Sequence, residues 1–189
     1  VGTARSFQSN ALQYFVATNS AFVFSNRSWS ILTWQKIYPT NAAGAVVSRF
    51  INTFPNREWY FYRQGSGGNN HRYYFVYGTN GNAGYVQGNF STTRVATNSW
   101  HLLAMTVDAT NLQIRTCVMW GSTTNWLTNS IAGVFNQNSV ANLFVGRDIN
   151  TGIYSDSAVD ETSIYLDSAL NEEQVGWYFN NNTGRSYPW

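Results

Sequence analysis

The segment Leu112-Gln113-Ile114-Arg115-Thr116-Cys117-Val118-Met119-Trp120 puts Leu112, Ile114, Thr116 and Val118 at every second position. A period of two predicts a strand, because successive side chains of extended backbone point to opposite faces. The same period, or an apolar run of strand length, recurs at residues 12–16, 21–24, 29–34, 46–50, 58–63, 72–77, 100–107, 142–146 and 161–166. Clusters rich in Gly, Asn, Asp and Ser fall between many of them, as in Gly65-Ser66-Gly67-Gly68-Asn69-Asn70 and Asn80-Gly81-Asn82-Ala83-Gly84, and these residues favour turns. Short strands at even spacing predict an all-β sandwich or barrel. The expected core is Trp29, Ile31, Leu103, Met105, Ile114, Val118, Phe144 and Ile164. One helix is expected near the C-terminus. Asn171 and Gln174 have the spacing of a capping box, Glu172 and Glu173 fall in the first turn, and Val175, Tyr178 and Phe179 share a face.

Composition narrows the function classes. A chain of 189 residues is one domain's worth, read here as a single domain over 1–189, and it can bury a substantial core without a metal or disulfide. Aromatic residues make up 17% and charged residues 11%, the reverse of a disordered chain. Ten arginines are scattered from Arg5 to Arg185, beside the single Lys36. Nucleic acid is not an expected partner, since phosphate binding needs clustered cations. No apolar run reaches the length of a membrane span, so no membrane insertion is expected. Cys117 stands alone, which excludes a disulfide framework and a thiolate zinc site.

Three segments, in order, resemble a known family. They are Trp29-Ser30-Ile31-Leu32-Thr33-Trp34, then Asn98-Ser99-Trp100-His101-Leu102-Leu103-Ala104 with Asp108, and finally Val159 to Tyr165 followed by Ala169 to Val175 and Tyr178-Phe179-Asn180. The chain is similar to laminin-G-like, concanavalin A-like lectin-glucanase domains of bacterial and phage surface proteins. The resemblance implies a two-sheet antiparallel jelly-roll sandwich with one short C-terminal helix. It departs from the family pattern at Leu102, where a second histidine is usual, and at Cys117 to Gly121, a hairpin tip that lacks the family's carboxylate. It also implies a structural calcium, for which Asp160 and Asp156 are the first candidate ligands and Asp148 and Asp108 the others.

Catalysis lacks its residues. Retaining glycoside hydrolysis needs two carboxylates about 5 Å apart, and none of the nine acidic residues has the alternating spacing that would supply them. Polysaccharide lyases of similar fold use a His-Tyr-Arg-Gln set, and His71, Arg72, Tyr73 and Gln64 lie close in sequence, although adjacency does not make a site. His101 reads as structural. Aromatic side chains are the stronger signal, because Trp and Tyr stack on the apolar faces of sugars. Trp120 and Trp126 bracket Gly121-Ser122-Thr123-Thr124-Asn125, read as a polar loop, and are the first ligand-binding candidates. Tyr60, Tyr62, Tyr77 and His71 follow. The expectation is a non-catalytic carbohydrate-binding or adhesion module, extracellular or on a cell or virion surface. The alternative is a structural virion or surface-layer component whose aromatics contact neighbouring subunits.

Overall fold

The computed structural model describes residues 5–7, 14–18, 22, 24, 26–39, 43–49, 58–65, 72–78, 85–89, 94–131, 142–147 and 154–180. Twelve strands among them are β1 (Arg5–Phe7), β2 (Phe15–Ala17), β3 (Trp29–Ile37), β4 (Gly44–Arg49), β5 (Trp59–Arg63), β6 (Tyr73–Gly78), β7 (Tyr85–Asn89), β8 (Trp100–Asp108), β9 (Gln113–Trp120), β10 (Thr123–Ser130), β11 (Leu143–Val145) and β12 (Ser157–Leu166), followed by the helix α1 (Glu172–Phe179). They form two six-stranded sheets, ordered β1-β12-β3-β8-β9-β10 and β2-β11-β4-β5-β6-β7. Every pairing is antiparallel. The predicted two-sheet sandwich is what the chain builds.

Strand parity decides which side chains meet between the sheets. Trp29, Ile31, Leu103, Met105, Ile114 and Val118 come from the first sheet and Trp59, Phe61, Phe75 and Tyr77 from the second, in one buried cluster. Of the other expected core residues, Phe144 is buried on its own face and Ile164 packs partly against this cluster. Phe24 lies outside any strand, contrary to the expected strand at 21–24, and plugs the core. Its ring meets Trp29 at 5.0 Å and Trp59 at 5.4 Å, both edge-on.

The opposite parity of the first sheet is also covered. Leu32, Trp34, Leu102, Ala104, Cys117 and Met119 pack under Val175 and Phe179 of α1, with Trp34 and Phe179 stacked at 5.7 Å. The capping box forms as expected: Gln174 N–H donates to Asn171 Oδ1 at 2.8 Å and Asn171 N–H to Gln174 Oε1 at 2.9 Å. Asn180 ends the helix in the left-handed region at φ 42°. No helix among the described residues is long and apolar enough to cross a membrane.

Candidate functional site

The first-choice pair is not arranged as the sequence suggested. Residues 123–130 are strand β10, and only Gly121 and Ser122 turn the chain. Gly121 has φ 53°, which a glycine at the first turn position of a tight hairpin supplies without strain. Trp120 pairs with Thr123 and Trp126 with Cys117. Three positions separate 123 from 126, so the two indoles leave opposite faces. Trp120 packs toward the inter-sheet core and Trp126 toward the cluster under α1. Both are half-buried, and they do not bracket a common pocket. A shallow groove of about 350 Å³ does lie near the hairpin tip, lined by Met119, Gly121, Ser122, Thr124, Gly176, Phe179 and Asn180. Neither tryptophan lines it.

Tyr60 and Tyr62 alternate with the core residues Trp59, Phe61 and Arg63 on β5, so they face outward from the second sheet. Their rings meet edge-on at 6.1 Å. Tyr74 and Val76, their partners across β6, form a buried floor beside them. Tyr77 has the other parity. It sits in the inter-sheet core at 1% exposure, and burial pushes its phenol up to about 12. It is therefore not part of the outward face. His71 and Asp148 lie outside the described residues.

The outward face carries a feature that sequence reading missed. Phe144 pairs with Ser48 and Ser48 with Tyr60, which puts all three on one face. Two strand spacings, about 10 Å, separate the strands of Tyr60 and Phe144. Gly146, at φ 85°, redirects the chain after β11, and Arg147 then bridges to Tyr154. The Arg147 guanidinium carbon lies 4.8 Å from the Tyr14 ring centroid, 5.2 Å from Tyr154 and 5.8 Å from Phe144. Tyr14 in turn contacts Phe144 at 5.8 Å and Tyr154 at 6.0 Å. Distant segments of the chain converge here, so no local motif announces the cluster.

A second polar set lies between the sheets. Gln35 pairs with His101, and Arg63 with Tyr73. The His101 ring stands 5.9 Å from Tyr73 and 5.9 Å from Trp120. Gln35 Nε2 donates to Ser155 Oγ at 3.3 Å, and Ser155 Oγ contacts Ser157 Oγ at 2.6 Å. These are the residue types of the lyase set, contributed by His101, Arg63 and Gln35 rather than His71, Arg72 and Gln64. All four are fully enclosed. Burial lowers His101 to about 4 and drives the Tyr73 phenol far up. The Gln35 backbone slightly favours the imidazolium, but no hydrogen bond of normal geometry reaches the ring, and burial prevails. The set is closed to solvent, with the His101 imidazole and the Tyr73 phenol held neutral by burial.

Asp156 and Asp160, the first calcium candidates, do not fit one shared ion. Asp156 lies near enough to Arg63 to favour its charge, whereas Asp160 Oδ1 accepts the Glu161 N–H at 2.9 Å. Four residues of extended chain separate them by roughly 13 Å, too far for oxygens that must each approach an ion to about 2.4 Å. Asp108 is occupied in a turn, accepting from the backbone of Thr110 and Asn111. Among the described residues no three His, Cys, Asp or Glu side chains gather where a metal could be held.

No protein-family model matches the chain, and no curated protein sequence does. Solved structures do. A Ruminococcus gnavus IT-sialidase CBM40 bound to α2,3 sialyllactose is 14% identical, with a TM-score of 0.62 over 93% of this chain and 96% of that one. The heptameric SAP-like pentraxin of Limulus polyphemus is 11% identical, with a TM-score of 0.58 over 90% and 76%. Tailspike protein 2 of Escherichia coli O157:H7 bacteriophage CAB120 is 10% identical, with a TM-score of 0.62 over 94% of this chain and 24% of that one. The fold is a concanavalin-like jelly-roll sandwich. In this jelly roll, the half-buried rings of Tyr60 and Tyr62 and the Tyr14–Arg147–Tyr154 cluster belong to the outward face of the second sheet.

Proposed function

We propose that the chain is a non-catalytic carbohydrate-binding module that takes its glycan on the outward face of the second sheet. The observation that carries this reading is one face bearing Tyr60 and Tyr62 and, about two strands away, Tyr14 and Tyr154 around Arg147. Tyrosine offers an apolar ring for stacking and a hydroxyl for hydrogen bonds. The CBM40 structure, captured with a sialylated sugar, supports the reading by fold alone. The laminin-G-like affinity rests on the three matching segments. An extracellular, cell-surface or virion-surface location agrees with the polar, weakly charged composition. Calorimetry with glycans chosen from an array tests the function. Tyr60→Ala with Tyr62→Ala weakens binding by about 2 kcal/mol or more per anchoring ring, with little change in melting temperature. Unchanged affinity in that double variant would sink the reading.

A second reading has its own observation. β2 is an edge strand of the second sheet, and Phe15 and Val16 on it are 49% and 46% exposed. An exposed apolar edge is a template for pairing with another chain, as a subunit of a surface or virion assembly would require. Light scattering of the intact protein and of Phe15→Lys decides it. A concentration-independent monomer in both would remove this reading.

A further inference from the structure

We propose that Arg147 makes the outward face selective for glycans carrying an anionic group, a carboxylate first. The inference rests on the carbohydrate reading and adds the charge class of the ligand. The two arginines with described ion pairs face carboxylates: Arg27 meets Asp167 at 2.7 Å, and Arg49 meets Glu58 at 2.8 Å. Arg147 meets rings instead. Three aromatic rings surround its guanidinium carbon at 4.8 to 5.8 Å. Ring quadrupoles hold a cation in place, but a ring offers no oxygen to the N–H groups of the planar guanidinium fork. Among the described residues, no acceptor meets Arg147 Nε and no carboxylate lies within ion-pair distance of the side chain.

An arginine positioned by π contacts and short of acceptors is matched by a carboxylate, whose two oxygens fit the fork. The Tyr14 ring beside it is 39% exposed, so the sugar bearing that carboxylate has a ring on which to stack. Contact area then supplies the affinity and one ion pair the preference. The salt dependence of binding is correspondingly shallow.

The test is a glycan array of matched neutral, carboxylated and sulfated oligosaccharides, followed by calorimetry on one matched trio at fixed salt. The carboxylated member should bind about tenfold or more tightly than the neutral one. Arg147→Gln should erase that gap, costing the carboxylated ligand about tenfold more affinity than the neutral one. Arg147→Lys keeps a cation among the rings and loses the fork. It should retain the wild-type melting temperature and lose most of the preference, which keeps the test informative if the Gln variant melts early. A sulfated ligand matching the carboxylated one would support the anionic class and overturn the carboxylate preference. Equal affinity for neutral and acidic ligands, or a Gln variant that weakens both alike, would overturn the inference and leave the carbohydrate reading standing. Silence across the whole array would remove both.

Discussion

Trp120 and Trp126, six residues apart and joined by one hairpin, stand on opposite faces of the same sheet. Each is half-buried, in a different cluster, so each should cost stability and neither should act through the other. Trp120→Ala and Trp126→Ala are expected to lose about 2–3 kcal/mol apiece, at or below the low end for a fully buried tryptophan. The double variant should lose their sum, because side chains without shared partners add. Urea unfolding of the four proteins checks this. A coupling energy above about 0.5 kcal/mol would contradict the opposite-face arrangement.

His101 makes stability depend on pH. Its folded value is about 4, against about 6.5 in an unfolded chain. Between these values the unfolded state binds the extra proton, so stability falls as pH drops from about 6.5 to 4 and is fully retained above that window. The loss approaches about 3 kcal/mol at the lower end. Melting temperature measured from pH 7.5 to 4 should decline through this range, and His101→Gln should flatten the decline. An identical slope in the variant would assign the effect to other groups.

Gly44 has no room for a side chain. A Cβ there would sit 2.7 Å from Ser155 Cα and 2.8 Å from Tyr154 O, both backbone atoms. Gly44→Ala must move the 154–155 segment, at about 1–3 kcal/mol of stability. Because Tyr154 flanks Arg147, the same variant should also reduce the preference for an acidic over a neutral glycan, which Tyr60→Ala should leave in place. Calorimetry and thermal melts on the two variants make the comparison, and a Gly44→Ala protein with unshifted melting would refute the packing argument.

Asp160 has a local task whether or not an ion is present. β12 is irregular between Asp160 and Ser163, Glu161 adopts φ 46°, and the Asp160 carboxylate takes the Glu161 N–H. Asp160→Ala should cost about 1 kcal/mol, and the cost should be the same with chelator as with millimolar calcium. A gap that opens only with calcium would place an ion at this bulge.

The central strands were legible in the sequence and the edges were not. β3, β8 and β9 are flanked on both sides, so apolar residues recur along them and strand character is plain. The three strands that escaped, β1, β7 and β10, all lie at sheet edges. Thr123-Thr124-Asn125-Trp126 reads as a loop by residue type, because an exposed edge strand needs few apolar residues and pairing with β9 supplies its order. Tyr77 was misplaced by one parity step, since a run of aromatics gives no contrast between faces. The Arg147 cluster was invisible for another reason. Tyr14, Phe144 and Tyr154 become neighbours only once β2, β11 and the 154–155 segment assemble.

The place of β12 between β1 and β3 sets the order of events when the chain is made. Arg5 cannot find its neighbour until Val159 has been synthesised, and β3 keeps one open edge until the same moment. α1 comes later still, so Leu32, Trp34, Leu102 and Met119 stay wet on every nascent chain. Pairings so distant in sequence make for slow closure. A ribosome-bound or prematurely terminated chain that stops before residue 157 therefore displays an unpaired β3 edge and an apolar sheet face together, which makes it a client for chaperones or proteases and not a smaller version of the domain.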